Sequence, residues 1–167
     1  FILPEIGKAL GLHEQPQRSY LDLLLAWLGS RRILLILDNF EHLERGAPLL
    51  AELLAGAPGL TILATSRSAL RVYGEAEFPV APLPVPESDL YDRPEQLHRF
   101  AAVNLFLARM HALNPGARLT HENAAAIARL CARLDGLPLA LELAAARTKL
   151  FSPQALLARL QDQLTFF

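Results

Sequence analysis

Three short groups of residues in this chain have types and spacing suited to chemistry. The first is Asp38, which directly follows the apolar run Ile33-Leu34-Leu35-Ile36-Leu37 and precedes Asn39, Phe40 and Glu41. A parallel strand delivers its last side chain to the carboxyl edge of a sheet, where α/β proteins bind ligands. A carboxylate there can hold a water of a Mg²⁺ shell, since Mg²⁺ takes oxygen ligands and keeps several of its waters. The plainer reading is that Asp38 caps the turn after the strand. The second group is Thr65-Ser66-Arg67, at the end of the run Leu60-Thr61-Ile62-Leu63-Ala64. It brings hydroxyls and a guanidinium to the same edge, and an arginine fork matches a terminal phosphate. The plainer reading of Arg67 is an ion pair with Asp38 or Glu41. The third group is Gly136-Leu137-Pro138. A glycine that stops one helix and a proline that opens the next explain it as a helical turn.

The elements that must position these groups change character along the chain. Tyr20 to Leu28 reads as a helix stopped by Gly29. Ile33 to Leu37 lacks polar alternation and reads as a strand buried on both faces of a parallel sheet. Pro48 to Ala55 is a helix with proline in its first turn, and a second buried strand runs from Leu60 to Thr65. Strand, helix and strand form a βαβ unit. Phe78-Pro79-Val80 reads as a short third strand. Pro79, Pro82, Pro84 and Pro86 then stiffen an extended connector. Beyond it the pattern is helical: Pro94 to Ala112, Thr120 to Leu134, Pro138 to about Leu150, and a last helix capped by Ser152 with Pro153 at its first turn. The fold class expected is α/β: a partial parallel-sheet α/β domain over 1–86, then an all-α domain over 87–167.

Taken in this order and spacing, the three groups resemble the STAND class of P-loop ATPases, and in particular the NB-ARC-like module of large bacterial transcriptional regulators of the LuxR and SARP kinds. Leu35-Ile36-Leu37-Asp38-Asn39-Phe40-Glu41-His42-Leu43 resembles the Walker B strand of that group, Leu63-Ala64-Thr65-Ser66-Arg67 its sensor 1 strand, and Gly136-Leu137-Pro138-Leu139-Ala140 its GLPL motif. The resemblance spans about Leu21 to Leu160. It implies ATP or ADP with Mg²⁺ as ligands, with Asp38 toward the metal. Asp38, Asn39, Glu41 and Arg67 would stand at the reacting end. Thr65, Ser66 and Arg67 would face the phosphates, Arg67 sensing the γ-phosphate, and Gly136, Leu137 and Pro138 would face the adenine. It further implies a regulatory switch, with effector and DNA-binding domains elsewhere in the same polypeptide and a homo-oligomer on activation.

Two departures bear on that resemblance. Members often carry two acids at the end of the Walker B strand, and here the second position is Asn39, which cannot act as a general base. Glu41 is the nearest substitute, so slow or absent hydrolysis is expected. No G-x-x-x-x-G-K-[ST] run occurs in the chain; Lys8 follows Gly7, but Ala9 replaces the hydroxyl residue. That loop supplies the backbone N–H groups, lysine and hydroxyl that cradle phosphates. The resemblance places it before Phe1, so this chain alone is expected to bind ATP weakly or not at all. The competing reading is a helical interaction or oligomerisation scaffold carrying a vestigial NTPase half. A stand-alone α/β hydrolase built on Asp38 lacks a nucleophile motif.

Composition sets the outer bounds. The chain has 167 residues, is 52% hydrophobic and 20% charged, and carries a net charge of −1, which excludes a disordered tail and any global basic field for nucleic acid. The longest apolar runs are far too short to cross a bilayer. A lone cysteine, Cys131, excludes an internal disulfide and suits a reducing cytoplasm. It reads as a buried apolar residue, Trp27 and the phenylalanines of the helical half as core, and the five histidines as surface residues. The absence of an initiator Met and the apolar last residues, Leu164-Thr165-Phe166-Phe167, read as cuts through a longer protein.

Overall fold

The computed structural model describes residues 2–164, apart from the side chains of Glu44 and of 162–164; Phe1 and the apolar end at 165–167 lie outside the described residues. The chain forms two compact units, the first ending at Phe78 and the second beginning at Pro79.

In the first unit the order is α1 (Ile2–Ala9), α2 (Tyr20–Leu28), β1 (Ile33–Leu37), a 3₁₀ segment (Phe40–Gly46), α3 (Ala47–Gly56) and β2 (Leu60–Ala64). Ser19 caps α2, its Oγ accepting the Asp22 N–H at 3.1 Å, and Gly29 ends the helix at φ 46°. Pro48 occupies the first turn of α3, where the N–H it lacks would have no helical partner. Helix α1 is an element that the sequence reading missed. Its Ile2, Leu3 and Ile6 recur at helical spacing and are buried. Strands β1 and β2 pair in parallel from Ile33↔Leu60 to Leu37↔Ala64.

This sheet corrects the expectation of strands buried on both faces. Ile33, Leu35, Leu37, Ile62 and Ala64 pack against the core that contains Leu24, Leu28, Leu50 and Leu53. Leu34, Ile36 and Leu63, which alternate with them, are 57%, 63% and 55% exposed. Helices α1, α2 and α3 all contribute to that one core, so among the described residues only one face of the sheet is covered. Trp27 is likewise half-buried rather than core, with the Arg31 guanidinium 4.6 Å above its ring.

The second unit is helical: a 3₁₀ turn (Ser88–Leu90), α4 (Pro94–Leu97), α5 (Ala101–Leu113), α6 (His121–Arg133), α7 (Pro138–Arg147) and α8 (Pro153–Leu164). Its core holds Leu97, Val103, Phe106, Ile127, Leu130, Cys131 and Leu141, all at 0% exposure. Asn123 takes the place of an acid in the capping box of α6, its Oδ1 accepting the Thr120 N–H at 2.9 Å. Ser152 Oγ accepts the Ala155 N–H at 3.2 Å, the cap expected for α8.

Three boundaries differ from the sequence reading. Phe78-Pro79-Val80 forms no strand; Phe78 and Val80 are each 87% exposed, and Pro79 has no N–H for a ladder. The expected helix from Pro94 to Ala112 breaks between Leu97 and Ala101, where Phe100 is extended, the Ala102 N–H turns to Pro84 O and Asn104 Nδ2 donates to His98 O. The expected division at residue 86 falls at 78. The proline-rich segment is tied to the helices, because Leu83 N–H donates to Gly136 O at 3.0 Å and Leu83 and Val85 pack on the helical core.

Candidate functional site

The carboxyl ends of β1 and β2 are fastened to each other by one side chain. Thr65 Oγ1 donates to Asp38 Oδ1 at 2.5 Å and accepts the Asn39 N–H at 3.0 Å. The backbone continues the ladder, Thr65 N–H to Leu37 O and Phe40 N–H to Thr65 O, both at 2.9 Å. The Thr65 hydroxyl is thus used as donor and as acceptor, and it fixes one oxygen of the Asp38 carboxylate. Asp38, Asn39 and Thr65 are exposed at this edge. A carboxylate held by one oxygen and open to water at the other suits outer contact with a hydrated divalent cation. The chain therefore brings Asp38, Asn39 and Thr65 together, and Thr65 sets the Asp38 carboxylate.

Asn39 stands at φ 56°, a left-handed conformation that asparagine tolerates better than most residues. Phe40, next in line, is 1% exposed and anchors the turn in the core.

Arg67 and Glu41 form the ion pair anticipated as the plainer reading, Nε to Oε1 at 3.2 Å. The pair is lopsided: the Glu41 side chain is 15% exposed and that of Arg67 is 90% exposed. An arginine this exposed gains little from the pair, because water screens it, and keeps most of its fork free. Ser66 is half-buried and lines an open cavity of about 330 Å³ with Ser68, Ala69, Leu70 and Arg71.

The loop leaving this edge is organised by a residue that the sequence reading passed over. Glu75 accepts the Leu70 N–H at 2.9 Å and the Val72 N–H at 3.3 Å. The Leu70 amide, with those of Val72 and Arg71, holds the Glu75 carboxyl below its usual range. Arg71 and Gly74 both have positive φ, at 58° and 81°. The glycine before Glu75 was the available signal for such a turn.

Gly136, Leu137 and Pro138 lie in the second unit. Gly136 is buried at φ 65°, and a Cβ there would lie 2.0 Å from Leu83 O. Only glycine allows that backbone approach. Leu137 and Pro138 are exposed, with Pro138 opening α7. The remaining residues behave as their types predict. Cys131 is fully buried, and desolvation pushes its thiol up to about 12, which leaves it protonated and inert. All five histidines are exposed. Among the described residues, no group of His, Cys, Asp and Glu could by itself hold a metal ion, so a cation at Asp38 would need water or a bound ligand for its other contacts.

Comparison with known proteins places this arrangement in a bacterial setting. The chain is similar to segments of mycobacterial proteins. It is 42% identical over 157 residues to a Mycobacterium tuberculosis (H37Rv) protein provisionally named an HTH-type transcriptional regulator, covering 93% of this chain and 16% of that protein. A Mycobacterium bovis protein of the same name matches equally. An uncharacterized M. tuberculosis (H37Rv) protein is 38% identical over 156 residues, covering 93% of this chain and 36% of its own length. The chain thus spans between a sixth and just over a third of the relatives it matches. No family model and no solved structure matches it. No described helix is long and apolar enough to cross a membrane.

Proposed function

We propose that this chain is the metal-facing and phosphate-sensing portion of an ATP/ADP-dependent switch, part of a longer cytoplasmic transcriptional regulator. The observation that carries the reading is the Thr65–Asp38–Asn39 cluster at the joined ends of two parallel strands, with Arg67 one turn beyond it. In this reading Asp38 holds a water of the Mg²⁺ shell and Arg67 exchanges Glu41 for the γ-phosphate. Asn39 supplies no general base, so the nucleotide is held longer than it is cleaved. The phosphate cradle is supplied by another part of the longer polypeptide. The open sheet face at Leu34, Ile36 and Leu63 supports that view, because a face this apolar is normally covered. The regulator names of the relatives support the setting; effector and DNA-binding parts and any oligomer on activation belong to the longer protein.

The test is equilibrium binding of ATP and ADP, with Mg²⁺, to the longer protein. Arg67→Gln is expected to lower the ATP-over-ADP preference by about tenfold, the scale of one lost charge-assisted contact. Asp38→Asn is expected to remove the Mg²⁺ dependence. Unchanged ratios in both variants contradict the assignment.

A second reading is a helical interaction scaffold that binds no nucleotide. It is favoured by one observation: Leu139, Leu143 and Leu150 lie on one face of α7 and the turn beyond it, at 69%, 61% and 72% exposure. Loss of a partner complex in Leu139→Ser with nucleotide binding absent from the wild type would select it.

A further inference from the structure

The helical unit places two arginines at one opening. An open cavity of about 400 Å³ is lined by Tyr91, Arg129, Ala132, Arg133 and Gln161. Three separate segments contribute: the turn after Ser88–Leu90, helix α6 and helix α8. Arg129 and Arg133 are one helical turn apart, which puts both guanidiniums on one face of α6. Like charges at that spacing repel each other unless an anion lies between them.

Among the described residues no acid lines the cavity and neither arginine forms an ion pair. The same unit shows what a structural arginine looks like: Arg109 sends both Nε and Nη2 to Glu142 Oε1, at 3.0 and 2.8 Å, and joins α5 to α7. Arg133 stands in the last turn of α6, where the helix dipole accounts for one cation. It does not account for Arg129, one turn earlier. The Arg129 guanidinium instead lies over the Tyr91 ring, 5.9 Å from its centroid, which limits the rotamers it can sample. A guanidinium set in this way loses less freedom when it closes on an oxyanion.

We propose that Tyr91, Arg129 and Arg133 form an anion site for the phosphoryl group of a small molecule. Two guanidinium forks lining one opening suit the several oxygens of a phosphoryl group better than a single lysine-like point charge. The aromatic ring acts as a support for Arg129 and the cavity gives room for the rest of the molecule. This assignment stands apart from the nucleotide reading of Asp38 and Arg67 and survives its failure.

The probe is inorganic phosphate, titrated into the whole chain at constant ionic strength with chloride as the compensating anion. The readout is the Nε–Hε resonances of the arginines by NMR. Saturable shifts confined to Arg129 and Arg133 are expected. Arg129→Gln with Arg133→Gln is expected to weaken binding at least tenfold with an unchanged circular dichroism spectrum, since both side chains are exposed. Tyr91→Ala should weaken it a few-fold, and Arg129→Lys should keep the charge yet bind less tightly. Shifts that never saturate, that spread over all arginines, or that persist in the double variant overturn the site.

Discussion

The helical unit and the sheet unit bury their apolar residues to different extents. In the helical unit Leu97, Phe106, Ile127, Leu130 and Leu141 are removed from water completely, and the core closes around them. In the sheet unit the two faces of one strand divide: Leu35 and Leu37 pack on the core, while Leu34 and Ile36 on the opposite face are more than half exposed. The helical unit uses Gly136, which with Asp135 has positive φ, to draw the extended segment at Leu83 onto its surface. The sheet unit uses its special positions, Asn39 and Arg71, to shape loops at the strand ends. A closed core paired with an incomplete sheet shows where each unit carries its information. The sheet unit gathers polar side chains at its strand ends, and the helical unit closes around an apolar core.

Substitutions in each unit sharpen the contrast. The largest effect is expected from Phe106→Ala, which empties a fully buried site and should cost about 4 kcal/mol in urea denaturation. A cost below about 1 kcal/mol would mean that the helical core is not closed. Gly136→Ala follows, at about 2–3 kcal/mol, since it adds a strained φ and a collision with Leu83 O. Amide exchange at Leu83 should then rise as its bond to Gly136 O is lost. Thr65→Val is smaller, at about 1 kcal/mol, because it removes one side-chain hydrogen bond to Asp38 and one acceptor for Asn39 N–H. Faster exchange of the Asn39 amide is the direct check. The smallest effect belongs to Ile36→Thr, expected within about 0.5 kcal/mol in this chain, as for a surface residue. A loss of about 2 kcal/mol there would mean that the sheet face is covered after all.

How much of this was legible in the sequence depended on whether the signal was local. Helix α2, with Gly29 after it, and strand β1, from Ile33 to Leu37, were read at their observed bounds, because stop signals and apolar runs are local. The pairing of the two strand ends followed from Asp38 and Thr65 each closing a run. Burial on the second face of the sheet was not legible, since it depends on which helices pack where. The break at Leu97–Ala101 and the attachment of Leu83 were hidden for the same reason: both rest on backbone hydrogen bonds between segments distant in sequence. Glu75 was missed because its partners are backbone amides, which leave no side-chain pattern. Arg67 shows the converse, a residue whose two readings were both visible and whose observed partner, Glu41, is the structural one.

In the proposed function, Asp38 and Arg67 serve a nucleotide whose phosphate cradle lies elsewhere in the longer protein. Calorimetric titration of Mg²⁺-ATP tests it most directly, run on this chain and on the longer protein that carries it. The account predicts stoichiometric binding by the longer protein, weakened by Asp38→Asn, and heat no greater than dilution for the chain alone. Tight one-to-one binding by the chain alone, or none by the longer protein, would contradict it.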